Sequence, residues 1–336
     1  MGDFDYTKVG VPDAPEPFSV IDLLKSMSSL EDKMRPAFVG GFFGDPGTRK
    51  TTRSMEVAQA ITPPDKKILY IYTGQGWSTL QNFPELKRRV TAMPYIRREQ
   101  LETLFVTLMN PAMKEKLNIG AIVFDEINRM QDMDTDKLTQ HRAHLVNSSP
   151  RKAKDKQGQD VYKDPWTPDW PEYNTTKVKM IGLINDALTL EDIHFFFVCH
   201  TRFQKGTGMI EPDFPEKTGA AFISMVHSLY YCKKVDVMEG GKLVTKYPIE
   251  LDGTAQTVSK NRIGGLPNEV WSTQEIVDAY NKWGAVEKSP VVSEVSTGEP
   301  IVKDSTLGST PTGNSSESIA TAVNEEESDP IAAIMG

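Results

Sequence analysis

Apolar residues come in short, almost unbroken runs, and the stretches between them carry helical periodicity. Residues 37–43 form the first run and end in a loop containing glycines. Residues 51–60 suit a helix, stopped by Thr62-Pro63-Pro64. The pattern then predicts a strand over 67–73, helix over 98–117, a third strand over 119–124, a helix over 178–188 and a fourth strand over 193–199. Residues 222–232 and 243–251 supply further strands. Strands without polar alternation are covered on both faces. The expectation is therefore an α/β fold, a mostly parallel sheet with helices on both sides.

Two stretches break this rhythm. Residues 148–176 hold Arg151, Lys152, Lys154 and Lys156, then the segment Asp164-Pro165-Trp166-Thr167-Pro168-Asp169-Trp170-Pro171. That is long for a loop, and loops of this length are usually functional or disordered. Residues 284–336 are rich in Ser, Thr, Gly, Pro and Glu, and Trp283 is the last aromatic, so a disordered tail is predicted. The division is a lead-in over 1–35 with a short amphipathic helix at 19–29, a domain over 36–283 and a tail over 284–336.

Charge sharpens this division. The chain carries −8, but nine acids and two bases beyond residue 284 account for −7 of it. The body is near neutral, so an acidic total is no argument against a nucleic-acid partner. No run of 18 apolar residues exists, and a membrane span is not expected. The first residues show neither a basic nor an apolar signal region. Cys199 and Cys232 sit in apolar runs and read as buried free thiols. The expected location is cytoplasmic, the host cytoplasm if the chain is viral.

The chemistry concentrates in Gly44-Asp45-Pro46-Gly47-Thr48-Arg49-Lys50-Thr51, followed by Thr52. The segment follows an apolar strand and opens a helix, the context of a phosphate-binding P-loop. Its glycines let N–H groups turn toward a β-phosphate, Lys50 reaches the β- and γ-phosphates, and Thr51 ligates Mg²⁺. Arg49 departs from the pattern, which has glycine there. Asp125 ends an apolar strand 75 residues after Lys50, where its carboxylate can serve the same Mg²⁺. Glu126 follows as the candidate for activating water; Gln75, at the end of the second strand, is the other position considered. His200 ends the Phe195–Cys199 run and can report on a γ-phosphate to the loop over 203–217. ATP and Mg²⁺ are the predicted cofactors. No Cys, His or carboxylate cluster has the spacing for reactions on a nucleobase, peptide or sugar.

Over roughly residues 36–275 the chain resembles the RecA-like phage nucleotide-binding proteins, which include phage single-strand-annealing ATPases. The matching pieces, in order, are the loop at 44–51, the strand at 67–73, Asp125, Asp169-Trp170, His194-Phe195-Phe196-Phe197-Val198-Cys199-His200, Lys217-Thr218-Gly219-Ala220 and Lys260-Asn261-Arg262. The resemblance implies a RecA-like P-loop NTPase core whose protomers stack in a ring or filament with ATP between neighbours. Lys260 and Arg262 then become candidate cations acting on the neighbour's phosphates. It also implies that the loops over 130–177 and 202–217 face single-stranded DNA. Cations with Tyr162, Trp166 and Trp170 suit phosphate contact and base stacking there. The acidic tail reads either as a docking segment for a replication or recombination protein or as a passive solubilising segment. The implied function is an ATPase acting on single-stranded DNA in recombination or annealing. The alternatives are a helicase- or packaging-type motor, or a nucleotide-switched binding module with little hydrolysis.

Overall fold

The computed structural model describes residues 36–145, 151–154, 158 and 160–283; the predicted helix at 19–29 and the predicted tail lie outside them. The first half runs β1 (Val39–Gly44), α1 (Lys50–Ile61), β2 (Lys67–Tyr72), α2 (Trp77–Gln81), a 3-10 turn (Pro84–Lys87), β3 (Val90–Pro94), α3 (Arg98–Met109), α4 (Pro111–Leu117), β4 (Ile119–Asp125) and α5 (Ile127–Leu145). It continues with β5 (Arg151–Lys154), β6 (Asp160–Lys163), α6 (Trp170–Thr189), β7 (His194–Cys199), β8 (Thr201–Gln204), β9 (Met209–Pro212), α7 (Glu216–Met225) and β10 (Ser228–Cys232). β11 (Val235–Glu239), β12 (Lys242–Lys246), β13 (Ile249–Glu250), β14 (Glu269–Val270) and α8 (Thr273–Lys282) complete it.

Eight strands form one sheet in the order β14-β13-β10-β1-β7-β4-β2-β3. The six from β10 to β3 are parallel, and β13 and β14 close one edge in antiparallel fashion. The fold is α/β with a mostly parallel central sheet, as the apolar runs required. Each run feeds both faces because successive side chains alternate. Phe43, Ile122, Phe124, Phe195 and Phe197 pack with α3, α5, α6 and α7 on one side. Phe42, Tyr70, Val123, Phe196 and Tyr230 pack with α1, α2 and α8 on the other.

Several boundaries differ from the sequence expectation. The helix over 98–117 is two helices, because Pro111 biases Asn110 to an extended conformation (φ −83°, ψ 116°) and Asn110 then caps α4 through Met113 N–H. The strand over 222–232 is a strand only from Ser228. Phe222–Met225 instead complete α7, where Thr218, Phe222 and Val226 recur at helical spacing on the buried side. Residues 243–251 are interrupted at Tyr247-Pro248. β12 pairs only with β11 in a separate ribbon whose Leu243 is 68% exposed, while β13 joins the main sheet. The stretch 148–176 is not one loop, since it contains the β5–β6 hairpin and the start of α6. Likewise the segment from 130 begins inside α5, and the segment from 202 is largely the β8–β9 hairpin. Among the described residues no helix is long and apolar enough to cross a membrane.

Phe196 sits mid-sheet, fully buried and stacked on Phe38 with ring centroids 4.9 Å apart. Phe196→Ala should therefore cost about 3–5 kcal/mol in urea unfolding; a loss below about 1 kcal/mol would contradict its place in the core.

Candidate functional site

Parallel pairing brings the C-terminal ends of four strands level. Phe42 is opposite Val198, Val198 opposite Asp125 and Asp125 opposite Tyr72. The residues that follow, Gly44 to Thr51, His200, Glu126 and Thr73, therefore share one edge of the sheet. In open parallel sheets that carboxyl edge is where ligands bind, at the crevice where successive connections diverge. Here the chain leaves β1 toward β2 on one side, and leaves β7 toward β10 on the other.

Local sterics explain the loop. A Cβ on Gly44 would lie 2.6 Å from the Cys232 carbonyl oxygen and 2.5 Å from Thr48 Oγ1, so only glycine lets the chain leave β1 there. The turn closes on the Asp45 carbonyl, which accepts bonds from Thr48 N–H (3.3 Å), Thr48 Oγ1 (2.8 Å) and Lys50 Nζ (3.4 Å). Gly47 (φ 81°) and Arg49 (φ 63°) are left-handed, the alternation that turns successive N–H groups inward as an anion nest. No side chain caps α1 and no acid occupies its first turn, so its leading N–H groups are left for an external acceptor. Lys50 is buried at 8% exposure against this loop. Asp45 and Pro46 are exposed, and the Asp45 carboxylate accepts from the Thr201 hydroxyl just after β7. Thr52 is buried and its hydroxyl has no partner.

The carboxylates are held in contrasting ways. Asp125 is 2% exposed and accepts from Thr51 Oγ1 at 3.1 and 3.3 Å and from the Tyr70 hydroxyl. Burial raises its pKa above the usual range, opposed by the Tyr70 and Thr51 hydrogen bonds and by Lys50. Glu126 is left-handed (φ 62°), an uncommon conformation for a residue with a side chain. His200 Nε2 lies 3.3 Å from its Oε1, and Thr73 Oγ1 donates to its Oε2 at 3.0 Å. The His200 hydrogen bond is the main reason its pKa is lowered, with Thr73 and Lys50 adding to it against partial burial. Gly76 completes the wall, since a Cβ there would lie 2.4 Å from Asp125 Oδ2.

Among the described residues no cluster of three or more His, Cys, Asp or Glu could hold a metal by itself. The donor set is one hydroxyl and one buried carboxylate, Thr51 and Asp125. That fits an ion completing its shell with phosphate oxygens and water, as Mg²⁺ does.

Other predicted residues are placed differently. Lys260 is not presented as a free cation: its Nζ donates to the carbonyls of Ile223, Ser224 and Val226 at 2.8–3.0 Å, capping the C-terminus of α7. It sits beside Leu229, near the start of β10, whereas the loop lies beyond that strand's end. Arg262 is exposed, and so is Gln75. Trp166, Trp170 and Tyr173 are 46%, 70% and 47% exposed. Arg142 ties the turn before α6 to that helix, bonding Glu172 (2.7 Å) and the carbonyls of Pro165 (3.1 Å) and Thr167 (2.8 Å). The basic residues Arg151, Lys152 and Lys154 form β5, opposite Lys163, Tyr162 and Asp160 of β6.

Sequence reasoning missed Tyr70, Thr73, Thr201 and Tyr247, the last lying under the Arg49 guanidinium. Tyr70 and Tyr247 read as ordinary strand aromatics. Thr73 carried a signal, since it ends the strand at which Gln75 was considered. No family model matches the chain, and no curated protein matches it.

The folded state holds the Asp125 proton more tightly than an unfolded chain does. Stability therefore falls as pH rises from the unfolded carboxylate value of about 3.9 through the folded one. Asp125→Asn removes that loss. In nucleotide- and metal-free protein it should raise Tm at pH 8, with the gain vanishing below roughly pH 4. A gain independent of pH, or a lower Tm at pH 8, counts against a destabilising buried carboxylate.

Proposed function

We propose that the chain is a RecA-like P-loop ATPase that binds Mg-ATP at the carboxyl edge of its sheet and acts on single-stranded DNA in recombination or annealing. The observation that carries the reading is the joint arrangement of the left-handed loop, the uncapped start of α1, buried Lys50, and Thr51 bonded to Asp125. Each alone has ordinary explanations. Together they form a nest for a polyanion with a divalent-cation site beside it.

In this reading the inward N–H groups and the α1 dipole take the β-phosphate. Lys50 exchanges the weak Asp45 carbonyl contact for phosphate oxygens. Thr51 and Asp125 would hold Mg²⁺, which when bound neutralises charge on the β- and γ-phosphates. Glu126, kept ionised by His200 and Thr73, accepts the proton of the attacking water. His200 and Thr201 lead directly into the β8–β9 hairpin, so the state of the γ-phosphate can reach that hairpin through two side-chain contacts. With the Lys260 ammonium engaged on α7, Arg262 is the better-placed cation for a neighbouring protomer's site in a ring or filament. Support for a single-stranded partner comes from the exposed Trp166, Trp170 and Tyr173, which follow in the chain a hairpin whose sequence is rich in Lys and Arg. Bases stack on such rings and phosphates track the cations.

Lys50→Ala should abolish Mg-ATP binding in calorimetry. Glu126→Gln should retain binding and lower steady-state hydrolysis by about 10²–10⁴-fold; unchanged turnover in this variant would sink the assignment of Glu126. Trp170→Ala should weaken binding of an oligo-dT strand, followed by fluorescence anisotropy, by roughly 5- to 150-fold per stacked base lost. Equal affinity in the variant and the parent would remove the stacking surface from the reading.

A further inference from the structure

Position 49 is the least expected in the loop. It needs a left-handed backbone (φ 63°, ψ 20°), which glycine adopts freely and a residue with a Cβ resists. It also lies at the positive end of the α1 dipole, where a cation is disfavoured. A second cation, Arg53, follows one turn later. Both departures have an explanation in what covers this face of the helix.

The Arg49 guanidinium carbon lies 4.0 Å from the centroid of the Tyr247 ring, inside the range of a cation–π contact. Tyr247 in turn is fixed by its own backbone. Arg53 Nη2 donates to the carbonyls of Tyr247 and Trp271, both at 3.3 Å, while Arg53 Nη1 bonds Glu56 at 3.0 Å. Thr273 Oγ1 holds the same Glu56 carboxylate at 2.8 Å, and Lys233 N–H bonds the Pro248 carbonyl at 3.0 Å. The Lys246-Tyr247-Pro248 link between the β11–β12 ribbon and β13 is thus tied to the first turns of α1. Its ring meets the one residue of the loop whose backbone is unfavourable.

We propose that Tyr247 is a positioning residue for the phosphate loop: by stacking on Arg49 it holds residue 49 left-handed, so that the adjacent N–H groups stay turned toward the anion. The inference rests on the P-loop reading above. It makes the ribbon segment part of the nucleotide site without touching nucleotide. It also accounts for a side chain where the loop pattern has glycine, because the stack supplies the conformational preference that glycine has intrinsically.

The test is calorimetric titration of Mg-ATP into the full chain carrying Tyr247→Ala, Tyr247→Phe, Arg49→Gly, or Arg49→Gly with Tyr247→Ala. Tyr247→Ala should weaken binding about fivefold, while Tyr247→Phe, which keeps the ring, should stay within about twofold of the parent. With glycine at 49, removing the Tyr247 ring should change affinity less than about twofold, because the backbone no longer needs the stack. Equal weakening by Tyr247→Ala in both backgrounds would overturn the proposal, since the ring would then serve the fold or the nucleotide directly. Unchanged or tighter binding by Tyr247→Ala overturns it too. If the parent binds no nucleotide, the P-loop reading fails, and amide exchange at residues 49–52 without nucleotide decides this inference. Tyr247→Ala should accelerate that exchange and the double variant should not; unchanged exchange refutes the stack.

Discussion

The parallel hydrogen-bond ladder joining β1, β7, β4 and β2 is the constraint on which everything else depends. Because the four strands run the same way in matched register, their carboxyl ends finish on one line. A glycine loop, the consecutive Asp125 and Glu126, and a histidine, three places far apart in the chain, then become neighbours. A one-residue slip in β4 would turn Asp125 to the opposite face of the sheet, away from Thr51. The phenylalanines that alternate between the two cores are what make such a slip costly. The packing that stabilises the fold is therefore the same packing that assembles the site.

The adjacent carboxylates of Asp125, the last residue of β4, and Glu126, just beyond it, are driven in opposite directions by their surroundings. Burial works against ionisation of Asp125, and hydrogen bonding from His200 favours ionisation of Glu126. A cation placed between Thr51 and Asp125 would favour the ionised form of Asp125. Glu126 needs no such cation to ionise, which suits the base role proposed for it. Divergent environments for neighbouring titratable groups are a usual mark of divided chemical labour. Tyr70, whose own pKa burial raises, remains a hydrogen-bond donor to Asp125 throughout the working range.

Much of the sheet was legible in the sequence because fully buried parallel strands leave unbroken apolar runs. β1, β2, β4 and β7 were found for that reason. β3 was not, since Val90 to Pro94 lies half-exposed at the sheet edge and carries little apolar signal. Phe222–Met225 misled because a short segment with Phe222, Ile223 and Met225 fits either a strand or the end of a helix. At the site, the residues within the loop and at the end of β4 were readable from local order alone. Those supplied by distant segments were not: Tyr70, Thr201 and Tyr247 look like any strand or turn residue until the fold brings them to their partners. Lys260 shows the opposite case, a cation whose neighbours in sequence suggested chemistry and whose neighbours in space make it a helix cap.

The aromatic build of β7 has a mechanical consequence. Phe195 stacks on Phe105, Phe196 on Phe38 and Phe197 on Phe124, so this strand is gripped from both sides of the sheet at three successive positions. Shifting such a strand would break three ring contacts at once. None of these stacks reaches His200, where the chain turns into the β8–β9 hairpin. In the ATPase proposed above, the sheet would serve as the fixed frame of a lever whose arm is that hairpin.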